Sequence, residues 1–170
     1  MMNVLAKAWR LLRLPKSIQL SILRLFQDQF LIGVTGIIFN DKNEVLLVKH
    51  TYRGNWSLPG GYIKAKEHPK EGLEREIEEE TGYVTSADER LKIRTDRDEA
   101  RLDICYIGTH LGGEFRPSSE VSEAAFFPFE SLPLLPKDQL VFIEHALRVK
   151  VKNSLSHEST LQRFQHYFSR

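Results

Sequence analysis

The chain has 170 residues, 41% of them hydrophobic and 28% charged, with a net charge of +1. That is an ordinary globular composition with apolar material for one core. The lone cysteine, Cys105, excludes an internal disulfide framework and any zinc site built from several cysteines, and it leads us to expect a reducing, cytoplasmic setting. Residues 1–27 carry Lys7, Arg10, Arg13, Lys16 and Arg24 with no acidic residue, +5 against a total of +1, so the remainder carries −4; such a mildly acidic body argues against general nucleic-acid binding.

Residues 3–28 interleave those basic residues with leucines, isoleucines and Phe26, and predict one or two helices divided by Pro15. This basic amphipathic segment, 1–28, is expected to pack on the domain or on a second copy, which would make a homodimer. A membrane-surface helix is the other reading. The segment lacks the apolar stretch and small-residue cleavage site of a signal peptide. The longest apolar run, "FLIGVTGIIF", is too short to span a bilayer, so no transmembrane segment is expected.

From Phe30 the pattern turns to strands. "FLIGVTGIIFN" and "VLLVKH", joined by the turn "DKNE", predict a hairpin. "YRGNWSLPGGYI" reads as a loop. After a helix that starts near Pro69 come three further strands, "LKIRTDR", "LDICYIGTHL" and "EAAFFPF". Cys105 lies inside the second of these, a core position. "KDQLVFIEHALRV" predicts an amphipathic helix with Leu140, Ile143, His145 and Leu147 toward the core. The tail 151–170 predicts another helix that pairs Leu161, Phe164 and Phe168. Strands and helices in this order give an α/β layered domain over 29–150.

The chemistry concentrates in "EREIEEETG", Glu74 to Gly82, with five glutamates in seven residues. Pro69 suits the first turn of a helix and Gly82 the position just past its end, so the helix is expected over 69–81. At roughly 100° per residue, Leu73 and Ile77 define the buried stripe, at about 0° and 40°. Glu76, Glu79 and Glu80 then fall at roughly 300°, 240° and 340°, flanking it, while Glu74 and Glu78 fall on the far, solvent side at about 100° and 140°. Carboxylates three and four apart repel, and partial burial raises the cost. A bound divalent cation would relieve both. Gly72, without a side chain, would leave room for a ligand. Carboxylates without histidine or cysteine suit Mg²⁺ or Mn²⁺.

"GYIKAKEHPKEGLEREIEEETGY", Gly61 to Tyr83, resembles the Nudix box: Gly, five residues, Glu, seven residues, Arg-Glu-aliphatic-x-Glu-Glu-x-Gly, then an apolar residue. Gly61, Glu67, Arg75, Glu76, Ile77, Glu79, Glu80 and Gly82 match at the required spacing. Tyr83 stands where an aliphatic residue is usual. The resemblance implies an α/β/α sandwich with a mixed sheet over 29–150, beside the N-terminal helical extension. It implies hydrolysis of a nucleoside diphosphate linked to another moiety X, giving a nucleoside monophosphate and phospho-X. It implies Mg²⁺ or Mn²⁺ on Glu76, Glu79 and Glu80, one of which would be the general base, with the Gly61 carbonyl joining the shell. Glu67 and Arg75 would pair to hold the loop against the helix, and Gly82 would close the box.

A further glutamate from outside the box is expected at Glu120, with Glu123 as the strand-entry alternative. Tyr52, Arg53 and Trp56 are the candidates to touch a nucleotide-derived substrate, though Trp56 also suits packing. His50 and His110 fit surface or packing roles. ADP-ribose or a nucleotide sugar is the leading substrate class. A nucleoside triphosphate pyrophosphatase is the alternative, and a ligand-sensing module that lost its chemistry is a third reading that the intact carboxylates oppose.

Overall fold

The structure, a computed structural model, describes residues 15–168, with side chains to residue 152. Residues 1–14, part of the expected N-terminal helical segment, lie outside the described residues. The chain divides into two compact units, 1–30 and 31–170. In the first, helix α1 (Lys16–Phe26) starts directly after Pro15, whose carbonyl accepts from the Ile18 and Gln19 N–H groups at 3.0 and 3.1 Å. None of its residues is buried, and Leu25 and Phe26 are each 81% exposed.

The second unit holds a mixed seven-stranded sheet: β1 (Leu31–Phe39), β2 (Val45–His50), β3 (Trp56–Ser57), β4 (Gly60–Tyr62), β5 (Tyr83–Asp96), β6 (Arg101–Gly113) and β7 (Val121–Phe127). β1 and β6 run parallel and the other pairs antiparallel. Helix α2 (Pro69–Thr81) covers one face and α3 (Lys137–Phe168) the other. The side-chain alternation of strands explains the two cores. Val34, Ile38 and Leu46 face Leu73 and Ile77 of α2. Ile37, Phe39, Val45 and Leu47 face Phe142, Ile143 and Ala146 of α3. Burial on both faces is why β1 and β2 read as almost continuous apolar runs. The α/β/α sandwich expected from the sequence is the fold observed.

Three local expectations are corrected. The "YRGNWSLPGGYI" segment is not simply loop. β1 and β2 share the single register pair Phe39–Val45 and then part, and residues 56–62 line both, bonding to β2 through β3 and to β1 through β4. On α3, Leu140 and His145 are exposed, and the buried side is Phe142, Ile143 and Ala146, spaced i, i+1, i+4. The tail is no separate helix, because α3 continues through it to Phe168; the pairing expected of Leu161, Phe164 and Phe168 lies outside the described side chains. Among the described residues no helix is long and apolar enough to cross a membrane.

Candidate active site

α2 has the bounds that Pro69 and Gly82 predict. His68 caps its start: Nδ1 accepts from the Lys70 N–H at 3.3 Å, and the Glu71 carboxylate accepts from the His68 N–H at 3.1 Å. Gly82 closes it at φ 75°, donating to the Glu78 carbonyl at 2.9 Å.

β4 runs beside this helix, in register with Gly33–Thr35 of β1. A Cβ on Gly61 would lie 2.5 Å from the Glu76 carboxyl carbon, so glycine is what allows the strand to approach the glutamate. Beyond β4 the chain folds back over α2. There the Lys64 N–H donates to Glu67 at 2.8 Å, and Arg75 reaches the same carboxylate from the helix, Nε at 2.6 Å and Nη2 at 3.0 Å. Arg75 Nη1 also donates to Glu76 and Glu79, both at 2.9 Å. These bonds, Arg75 foremost and then the Lys64 N–H, hold Glu67 down at about 2. Arg75 likewise holds Glu79 below the usual carboxylate range.

Glu80 has the opposite environment. It is 7% exposed, and its Oε2 has no hydrogen-bond partner. Burial pushes its pKa up to about 7, and the charges of Glu76, Glu120 and Glu79 push the same way. A buried oxygen without a donor, ringed by like charge, is a place where a hard cation would be stabilised by all four groups. Among the described residues no three acidic, histidine or cysteine side chains already converge on one ion-sized point. Arg75 instead engages Glu76 and Glu79. The donor set nevertheless fits Mg²⁺ or Mn²⁺ in kind: all oxygen, with several carboxylates.

One cleft, opening where β1 and β2 part, brings together Gly61, Glu76, Glu80 and Glu120 with Tyr52 and Arg53. Glu120 is fixed by its backbone, its carbonyl accepting from the Thr51 N–H at 2.9 Å. Glu79, 55% exposed, lies outside that lining and faces Arg75 and Lys64. Glu123 is absent from the cleft and pairs with Lys49 at 2.8 Å. Trp56 does not line the cleft either; it packs edge-on against Phe127, centroids 5.0 Å apart. His50 lines the cleft beside Tyr52, whereas His110 packs on Tyr83 and Phe126. That aromatic cluster explains why a tyrosine serves at position 83. Gly72 leaves no room for a ligand: a Cβ there would meet Ile63 at 2.7 Å and Glu67 at 3.0 Å, so it admits the loop instead. Glu74 is not plain solvent-facing charge, since it accepts from the Ala87 N–H at 2.7 Å and ties α2 to β5.

The sequence reading missed Arg94, Arg101, Asp103 and Asp138, which line the same cleft. One signal was present. Asp103 interrupts the apolar "LDICYIG" of a strand otherwise destined for burial, and it is 8% exposed.

Residues 29–146 match the model of the NUDIX domain. An ADP-ribose pyrophosphatase of Methanocaldococcus jannaschii is 34% identical over 126 residues, covering 70% of this chain and 74% of that one. An 8-oxo-dGDP phosphatase of Mus musculus is 29% identical over 107 residues, 59% of this chain and 33% of its own length. Among solved structures, an ADP-ribose pyrophosphatase of Streptococcus suis superposes with a TM-score of 0.61 at 29% identity, covering 71% of this chain and 93% of that one. With the box in place on its loop and helix, and the family pattern running through most of the second unit, the chain belongs to the Nudix family of hydrolases.

Proposed function

We propose that the protein is a Mg²⁺- or Mn²⁺-dependent hydrolase of a nucleoside diphosphate linked to another moiety X, such as ADP-ribose or a nucleotide sugar. The products are a nucleoside monophosphate and phospho-X. The observation that carries this reading is Glu80: a buried carboxylate with an unpartnered oxygen, one helical turn from Glu76 and lining the same cleft as Glu120. ADP-ribose pyrophosphatases among the relatives support the substrate class.

Glu76, Glu79 and Glu80, the Gly61 carbonyl and Glu120 would hold the cation. When bound, it would neutralise the diphosphate, acidify the attacking water and align it for displacement at phosphorus. Glu67 and Arg75 hold the loop of residues 63–67 on α2, which keeps Gly61 against Glu76. Arg75 also restrains Glu76 and Glu79, and a bound cation would compete with it for both carboxylates. One carboxylate of the trio takes the proton of the water. Tyr52 and Arg53, at the rim, contact substrate.

A hydrolysis screen of ADP-ribose, nucleotide sugars and nucleoside triphosphates, with and without Mg²⁺ or Mn²⁺, tests the proposal. The nucleotide-sanitising alternative is kept because one relative acts on 8-oxo-dGDP; it predicts turnover of triphosphates or oxidised nucleotides above that of ADP-ribose. Self-association through the basic N-terminal segment belongs to the same proposal, on the strength of the exposed apolar residues of α1. A chain starting near Gln27 should then contain fewer copies per particle in solution than the full chain.

A further inference from the structure

Of the carboxylates expected to hold the cation, Glu120 alone lies off α2. It sits on the segment 114–120 between β6 and β7, outside any helix or strand. That segment is tied down at both ends. Where it leaves β6, the Arg116 N–H donates to the Thr81 carbonyl, at the end of α2, at 2.8 Å. Where it enters β7, Thr51 grips it twice. The Thr51 N–H donates to the Glu120 carbonyl at 2.9 Å, and its Oγ1 donates to the Ser119 carbonyl at 3.0 Å. In between, Ser118 Oγ accepts from the Glu120 and Val121 N–H groups at 3.2 and 3.0 Å, which closes a tight turn.

The grip stands where regular pairing fails. β2 and β7 pair Lys49 with Glu123 but His50 with Val121, so Ser122 is an extra residue, and its hydroxyl donates to the Lys49 carbonyl at 3.1 Å. Bulges of this kind re-aim side chains beside a site. β2 ends at His50, and the Thr51 hydroxyl adds a bond that strand pairing no longer supplies. Thr51 is exposed, so its side chain does little for the core. It also opens the turn that carries Tyr52 and Arg53. There the Arg53 and Gly54 N–H groups donate to the His50 carbonyl at 3.3 and 3.2 Å, and the centres of the His50 and Tyr52 rings are 5.3 Å apart. One residue thus joins the rim of the cleft to the backbone of Glu120. A working site needs its groups held to within about 0.5 Å, and a carboxylate on irregular backbone meets that demand only if the backbone is fixed.

We infer that Thr51 is a positioning residue: through its bonds to Ser119 and Glu120 it sets where the Glu120 carboxylate stands in the cleft, and it ties that carboxylate to the rim turn. The inference rests on the metal-dependent reading above, in which Glu120 joins the shell of the cation, and adds the residue that aims it. Thr51 acts through Glu120 alone.

The test is Mn²⁺ affinity, read from the electron paramagnetic resonance signal of the free ion, on the full chain in the presence of α,β-methylene ADP-ribose. The parent is compared with Thr51→Val, Thr51→Ser, Glu120→Gln and the double variant Thr51→Val/Glu120→Gln, and thermal melts in chelator establish that each is folded. Thr51→Val removes the hydroxyl and keeps the shape, whereas Thr51→Ser keeps the hydroxyl; Thr51→Ala takes the place of Thr51→Val if the valine disturbs the fold. Thr51→Val and Glu120→Gln should each bind Mn²⁺ about 10-fold or more weakly, the scale on which loss of a group that orients a ligand acts. Thr51→Ser should bind like the parent. The double variant should bind no more weakly than Glu120→Gln, because residues that act through one another do not add. Three results overturn the role of Thr51 and leave the metal site standing: Thr51→Val that binds like the parent while Glu120→Gln is weakened, Thr51→Ser as weak as Thr51→Val, or losses that add in the double variant. Glu120→Gln that binds like the parent, or a parent that binds no Mn²⁺, overturns the reading beneath the inference, and the inference with it.

Discussion

The Glu67 carboxylate accepts two hydrogen bonds from the Arg75 guanidinium, from Nε at 2.6 Å and Nη2 at 3.0 Å. Eight residues separate them, and the pair fastens the loop that follows Gly61 and β4 to the helix that carries the glutamates. Lysine cannot reproduce this planar two-point contact. Arg75→Lys should therefore lower metal-supported turnover by about 10–100-fold, the usual cost of losing a group that orients ligands, while far-ultraviolet circular dichroism stays that of the parent.

The same pair gives a pH dependence. Glu67 is held at about 2 in the folded protein, below its ordinary value of 4.5, chiefly by Arg75 and then by the Lys64 N–H. Its contribution to stability is present above 4.5 and lost as the pH falls through 2. Urea midpoints measured across that window should fall less steeply in Glu67→Gln than in the parent.

Glu80 works in the other direction. Burial, then the charges of Glu76, Glu120 and Glu79, raise it from 4.5 to about 7. In metal-free protein its ionisation costs nothing below 4.5 and its full penalty above 7. In chelator at pH 8, Glu80→Gln should be more stable than the parent by on the order of 1 kcal/mol after allowance for solvent screening, with the gain absent at pH 4.5. Adding Mg²⁺ should raise the melting temperature of the parent more than that of the variant.

Gly82 tests the end of the box. It sits at φ 75°, and a Cβ there would come within 2.6 Å of the Glu114 carbonyl oxygen. Gly82→Ala should cost about 1–2 kcal/mol for the left-handed backbone, plus the clash, and denaturant titration measures it.

Much of this was legible in the sequence because local chemistry dictated it. Pro69 and Gly82 set the ends of α2 through backbone rules that act within one turn, and the spacing of Leu73 and Ile77 oriented it. The apolar runs of β1 and β2 announced strands. What stayed hidden depends on distant partners. β3 and β4 are two and three residues long and exist only because β1 and β2 part around them. Gly72 looked like room for a ligand, but the returning loop fills that space. Glu74 looked solvated until Ala87 of β5 met it. The meeting of Arg94, Asp103 and Asp138 draws on β5, β6 and α3, and sheet register together with the packing of α3, not sequence spacing, assembles it.

The most direct test of the central claim is turnover of ADP-ribose with Mg²⁺ by Glu79→Gln and Glu80→Gln, with thermal melts in chelator on the same samples. The account predicts that Glu80→Gln melts at or above the parent, because it loses a repelled charge, and that Glu79→Gln melts slightly below it, because it gives up exposed ion pairs with Arg75 and Lys64, while both turn over about 10²-fold or more slowly, the scale on which loss of a preorganised electrostatic group acts. A variant that melts and turns over like the parent would contradict it.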